Sequence, residues 1–270
     1  MHASPPARLK PRREIRAPSM GLYLSEPLRG ALQISTLPIA APWLARAPRG
    51  QSHGVLVLPG LMATDTSTGL LRRFLRGLGH TVWGWRLGRN LGPTQDILDG
   101  MPRALHLLAE RSGSSVSVIG WSLGGIYARE LARSRPSQIR QVITLGSPFA
   151  LTDRRQSRAD RAFRSRAHLH APEWTPSWQK LARPIPVPST AVYSKRDGIV
   201  PWRACIEPAS ERHQNVEVRC AHLGFGVDPA TLWLIADRLA QPVHERGPFK
   251  PPALLRPLYP ARTADIQQST

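Results

Sequence analysis

The segment Val116–Ile126, which reads Val-Ser-Val-Ile-Gly-Trp-Ser-Leu-Gly-Gly-Ile, constrains the fold more than any other part of the chain. A β-branched apolar strand runs into Gly-x-Ser-x-Gly, and a helix-like stretch from Ile126 to Arg133 comes directly after it. In that context the motif can set a serine on a strained strand-to-helix turn. The glycines two residues to either side of Ser122 have a physical task there. With a Cβ on either, the incoming strand and outgoing helix would collide. The helix start then offers backbone N–H groups and a positive dipole end to a developing oxyanion. Gly-x-Ser-x-Gly by itself arises by chance in a chain with 21 glycines, so its meaning depends on the residues downstream of it.

An acid and a histidine lie there. Ser189–Ser194 reads as a short buried strand, and Lys195-Arg196-Asp197-Gly198 as a turn at its end. Asp197 therefore sits where the carboxyl end of a strand opens into a loop, the place where open α/β sheets collect functional groups. Val216–Cys220 alternates as a strand and delivers His222 to the same edge. Asp153, after the strand ending at Leu145, is the rival acid, and Asp197 is preferred. Among the other histidines, His53, His80 and His106 precede the serine, and His106 falls in a helix-like stretch. His168 and His170 lie in an irregular insertion and could line a substrate mouth. His213 and His244, in polar surroundings, read as surface residues.

Two further segments complete a pattern. Val55-Leu56-Val57-Leu58-Pro59-Gly60-Leu61-Met62 is an apolar strand with a loop, and Ile143-Thr144-Leu145-Gly146-Ser147-Pro148 comes after the helix behind the serine. With Ser122, Asp197 and His222 in that chain order, the sequence resembles the α/β-hydrolase superfamily, in its lipase and esterase branch, over roughly residues 52–240. The resemblance implies an α/β fold with a mostly parallel central sheet, helices on both faces and a lid or cap insertion. It implies a serine hydrolase cleaving carboxylic esters through an acyl-enzyme. Ser122 would be the nucleophile, His222 its general base and Asp197 the group that orients the imidazole. The backbone N–H groups of Leu123 and Leu61 would form the oxyanion hole, with Met62 as the alternative second donor. The family often has His-Gly where this chain has Pro59-Gly60, which leaves the assignment of that donor open. Trp121, Met62 and Phe149 are expected to form an apolar acyl pocket that favours medium or long chains. The dehalogenase and epoxide hydrolase branches, which use an aspartate nucleophile, are disfavoured. Acyl transfer to an alcohol or amine by the same triad, amide, thioester and lactone substrates, and a non-catalytic binding protein on the same fold stay open.

Periodicity places helices over Gly69–Leu78 and Asp96–Glu110 and a final one over Pro229–Leu239, alternating with strands at Val55–Leu58, Thr81–Trp85, Val116, Val142, Thr190 and Val216. Residues 51–240 are read as one domain, in which 150–188 form the lid or cap insertion. That insertion carries Arg154, Arg155, Arg158, Arg161, Arg164 and Arg166, with Trp174 and Trp178 four apart. Residues 1–50, with eight Lys or Arg against two acids, and 241–270 are proline-rich and are read as extended or loosely packed tails. Leu28–Leu44 is too short and too broken by Pro38 and Pro42 to span a bilayer. No apolar run of the kind an export signal needs comes after Arg12-Arg13. The expected location is the cytoplasm, with peripheral contact to a membrane.

The net charge of +19 comes almost wholly from arginine, with four lysines. No groove-reading motif or stacking aromatics accompany it, so nucleic acid is not expected as a partner. A small-molecule or lipid ester, and an anionic membrane surface, are. No Cys/His/Asp cluster has metal-ligand spacing and no phosphate loop or dinucleotide fingerprint occurs, so no cofactor is expected. Cys205 lies after the acid loop and Cys220 before the histidine loop. A bridge between them would close a loop of about fifteen residues, worth ~3 kcal/mol in the chain-entropy picture. Without an export signal the reduced state is the default.

Overall fold

The computed structural model describes residues 15–242 and 247–260; Arg12-Arg13 and His244 lie outside them. Six strands form one parallel sheet: β1 Gly54–Leu58, β2 Thr81–Gly84, β3 Val116–Trp121, β4 Ile139–Leu145, β5 Ser189–Tyr193 and β6 His213–Glu217, in the order β2-β1-β3-β4-β5-β6. Three helices precede the sheet: α1 Met20–Leu24, α2 Glu26–Ser35 and α3 Leu37–Leu44. Then come α4 Gly69–Gly77, α5 Gln95–Ser112, α6 Leu123–Ser134, α7 Asp160–Arg164, α8 Trp178–Ala182 and α9 Pro229–Ala240.

Alternation along each strand assigns the two faces. Val55, Val57, Ile119, Trp121, Ile143 and Leu145 pack with Leu71 and Leu75 of α4 and Leu232, Ile235 and Leu239 of α9. Leu56, Leu58, Val116, Val118 and Val142 pack with Ile97, Met101, Leu105 and Leu108 of α5 and with Tyr127, Ala128 and Leu131 of α6. Both faces are covered, which agrees with the continuous apolar run of β1. The chain runs from β1 to β2 on one side and then returns to place β3 on the other side of β1. The ends of β1 and β3 therefore flank a topological switch point, where open α/β sheets form their binding crevice.

The domain core matches the expected elements to within a few residues. The strand expected over Val216–Cys220 is instead His213–Glu217, starting three residues earlier. His213, expected at the surface, is buried with Nε2 on the Ile185 carbonyl at 3.0 Å. The larger correction concerns residues 1–50: from Met20 to Leu44 the chain is helical rather than an extended tail. Pro27 and Pro38 stand in the first turns of α2 and α3, where a missing N–H leaves no helical bond unmade. In the C-terminal segment Phe249 and Tyr259 are buried, with ring centroids 4.9 Å apart, and Tyr259 donates to the Ala230 carbonyl at 2.7 Å. Cys205 and Cys220 are both buried free thiols, in separate apolar clusters. No helix among the described residues is long and apolar enough to cross a membrane.

Candidate active site

Ser122 joins β3 to α6 at φ 54° and ψ −120°. A non-glycine residue holds such a backbone only at a cost of about 1–3 kcal/mol, supplied by its surroundings. Two glycines make the turn fit. A Cβ on Gly120 would lie 2.3 Å from the Gly124 carbonyl oxygen, and one on Gly124 would lie 2.4 Å from that of Leu58. The Ser122 N–H donates to Leu145 O at 2.8 Å, so the serine is still fastened to β4 as its chain turns away.

Asp197 lies just beyond β5 and is buried. Its Oδ1 accepts from the N–H groups of Ile199 and Val200 at 2.8 and 2.7 Å. Its Oδ2 lies 2.6 Å from His222 Nδ1. With Nδ1–H donated to the carboxylate, the lone pair of the imidazole is left on Nε2. Burial alone would lower the pKa of His222, but the charge and hydrogen bond of Asp197, with the charge of Glu26, outweigh it and hold the pKa above the ordinary histidine value. The indole N–H of Trp121 donates to the His222 carbonyl at 3.1 Å, which ties the histidine turn to the residue preceding Ser122. Among the described residues, neither the Ser122 hydroxyl nor His222 Nε2 has a hydrogen-bond partner. The sheet edge thus brings Ser122, Asp197 and His222 to the ends of β3, β5 and β6. Asp153 is elsewhere: it is exposed and caps the turn at Arg154–Gln156, accepting from Arg155 N at 2.8 Å.

The expected oxyanion donors separate. Leu123 is the first residue of α6, so its N–H has no carbonyl within its own helix. The loop after β1 passes against the serine, with a Cβ on Gly60 falling 3.1 Å from Ser122 Cβ. The Leu61 N–H has no acceptor among the described residues, whereas the Met62 N–H is taken by Asn90 O at 2.7 Å. Met62 is thereby withdrawn as the alternative donor. Asn90 is fully buried and holds this loop from several sides, donating from Nδ2 to Pro59 O at 2.9 Å and from its N–H to Ala63 O at 2.9 Å.

An apolar cleft of about 730 Å³, part of it open to solvent, leads to Ser122. Its walls are Leu61, Leu123, Ile126 and Val200 from the core, and Leu151, Phe163, Trp174, Trp178 and Leu181 from residues 150–188, with Arg154 and Asp160 at hand. The three side chains expected as the acyl pocket do not line it. Trp121 is buried and holds His222, Phe149 is fully buried beneath the Arg129 guanidinium at 3.9 Å, and Met62 sits at φ 64° with its N–H on Asn90 O. His168 is exposed, and His170 bonds Leu91 O at 3.2 Å with its pKa lowered chiefly by burial. Neither lines the cleft. Among the described residues no group of three or more His, Cys, Asp or Glu side chains is placed to hold a metal ion.

The polar residues that reasoning along the chain missed are Glu26, Gln33 and Asn90. A signal was present for the first two: Glu26, Gly30 and Gln33 recur at one helical face, away from Leu28 and Leu32.

No protein-family model matches the sequence, and no curated protein sequence matches it. Solved structures do share its fold. The chain is similar to Aspergillus fumigatus lipase B, at TM-score 0.56 and 18% identity over 70% of this chain and 53% of that one. It is similar also to a structure of the metagenome-derived lipolytic enzymes LipS and LipT, at 0.52 and 16% over 72% and 94%. A third is MGS-MChE2, an alpha/beta hydrolase from the metagenome of sediments of the Mar Chica lagoon, Morocco, at 0.50 and 17% over 71% and 91%. The chain spans about half the length of the fungal lipase it matches. With the parallel sheet described above, these likenesses establish the α/β-hydrolase fold.

Proposed function

We propose that the protein is a serine hydrolase that cleaves carboxylic esters through an acyl-enzyme. The observation that carries this reading is the backbone of Ser122, at φ 54° on a strand-to-helix turn, on the sheet edge that also bears the Asp197–His222 pair at 2.6 Å. Ser122 Oγ adds to the acyl carbon while His222 Nε2 takes its proton. The N–H groups of Leu123 and Leu61 receive the oxyanion as it forms. Collapse expels the alcohol, protonated by His222. Water then enters by the same route in reverse, with His222 again the base, and releases the carboxylic acid and free serine. Asp197 keeps the imidazole in the tautomer this requires and stabilises the imidazolium.

The apolar walls favour medium or long acyl chains, and residues 150–188 act as the lid over them. The lipase and lipolytic neighbours fit this direction. An anionic lipid layer is the surface on which the protein would meet such substrates. The chain's charge of +19 attracts it, and Leu24, Leu28, Leu32 and Ile39 stand 71%, 65%, 56% and 79% exposed on the N-terminal helices.

Intact-mass labelling with a fluorophosphonate tests the chemistry. One adduct on the wild type, absent from folded Ser122→Ala and much slowed in His222→Ala, is the expected result. A folded wild type that stays unlabelled, with and without anionic vesicles, would sink the reading.

A further inference from the structure

α2 is built the opposite way from a helix that holds to a protein by burying apolar area. Its Leu28, Leu32 and Ile34 are 65%, 56% and 49% exposed, while Glu26 and Gly30 are buried and Gln33 is half-buried. Glu26, Gly30 and Gln33 share a face, and that face is set on the turn that carries His222. Glu26 Oε1 accepts from Gly198 N at 2.7 Å and from His222 N at 3.0 Å, and Oε2 accepts from Leu223 N at 3.1 Å. Gln33 Oε1 accepts from Ala221 N at 3.0 Å, and its Nε2 reaches Asp228 at 3.4 Å. A Cβ on Gly30 would fall 3.1 Å from Leu223 Cβ, so the missing side chain is what lets the helix lie so close. Arg29 closes the outer side, donating to Glu26 at 2.9 Å and to Arg196 O at 2.7 Å.

The two loops bridged by this one carboxylate are those of the acid and the base. Gly198 is the residue after Asp197, and His222 and Leu223 form the histidine turn. The Nδ1–Oδ2 contact of 2.6 Å depends on the separation of these loops, and a single oxygen of Glu26 is bonded to both. We propose that Glu26, presented by α2 from the N-terminal segment, is a positioning residue that fixes the acid loop and the histidine turn at the separation the Asp197–His222 pair requires. This rests on the triad reading; Glu26 itself touches no reacting atom. The same geometry has a charge effect. The anions facing His222 are Asp197 and Glu26, with the Arg29 cation beyond Glu26, and both anions favour the imidazolium.

The test is the rate of fluorophosphonate labelling as a function of pH, on the full chain, for wild type, Glu26→Gln, Glu26→Asp and Gly30→Ala. Glu26→Gln should reach full labelling at Ser122 but roughly tenfold or more slowly, with the midpoint of the pH dependence moved to lower pH. Glu26→Asp should move the midpoint back towards wild type while the rate stays low, because its shorter arm keeps the charge but does not span both loops. Gly30→Ala separates positioning from folding. It removes no polar contact and gains helix propensity, yet its Cβ must push the histidine turn by a few tenths of an ångström. Undiminished thermal stability with labelling about threefold or more slower is expected. Wild-type rates and midpoints in Glu26→Gln and Gly30→Ala would overturn the proposal and leave Glu26 as a packing residue. Should Glu26→Gln not fold, Gly30→Ala alone decides. An unlabelled wild type, or equal labelling of Ser122→Ala, overturns the triad reading and this proposal with it.

Discussion

Ser122 and its two glycines show how closely backbone space limits this site. Gly124→Ala would drive a Cβ to 2.4 Å from a carbonyl in β1, where neither the strand nor the helix can yield. We expect a loss of about 3 kcal/mol, measured by urea unfolding, with labelling abolished in whatever remains folded. The pH dependence has a definite sign. The proposed reaction needs a neutral imidazole at His222, whose pKa is held above the ordinary value of about 6.5. The wild-type rate should therefore fall, as the medium is acidified, at a higher pH than free histidine would dictate. Asp197→Asn removes the larger of the two raising influences. The limb should move to lower pH, and the plateau rate should drop by on the order of 10⁴-fold through loss of the correct tautomer. A limb that stays in place would remove Asp197 from the role assigned to it.

At the level of elements, α6 both starts after Ser122 and is bonded to the segment that walls the cleft. Arg129, fully buried, donates to Glu207 at 2.7 Å and to the Arg183 carbonyl at 2.8 Å. Glu207 in turn accepts from the Ser189 hydroxyl at the start of β5. Arg133 reaches the Leu181 and Arg183 carbonyls at 3.1 and 2.6 Å, next to the cleft wall formed by α8. Removing one member of so deeply buried a pair leaves the other charge uncompensated, so Arg129→Ala should destabilise by about 3–5 kcal/mol. Chemical denaturation checks this, and a change below about 1 kcal/mol would show that the pair is not needed. Helix α6 and this wall of the cleft would then be mechanically independent.

Across the whole molecule, positive charge and exposed apolar area are the two surplus quantities. Leu28 and Leu32 lie one turn apart on the outward face of α2, and the Arg-rich surface adds long-range attraction to any anionic layer. Co-sedimentation with vesicles containing anionic phospholipid should be strong at low salt and weaken as salt is added. It should fall several-fold in Leu28→Ser/Leu32→Ser at any one ionic strength. Equal binding of the double variant would move the contact away from α2, and equal binding to neutral vesicles would remove charge from the account.

Much of the fold was legible in the sequence because it depends on neighbours along the chain. The apolar runs of β1 and β3, the period of α4 and α5 and the glycines around Ser122 each encode a local backbone choice. Once these alternate, a parallel sheet covered on both faces is the structure that buries them. The order Ser122, Asp197, His222 likewise pointed to three candidate residues, and all three lie beyond strand ends on one edge of the sheet. Contacts between segments far apart were decided only by the tertiary structure. Asp197 rather than Asp153 meets His222 because β5 and β6 are adjacent. The Met62 N–H is occupied because Asn90 packs against its loop. Glu26 reaches His222 across 196 residues of sequence. Part of the cleft wall comes from an insertion without regular period, and Trp121 and Phe149 face inward instead. Periodicity records which residues are apolar, whereas the partner of a polar side chain is set by packing in three dimensions, and that is where the site acquired its supporting residues.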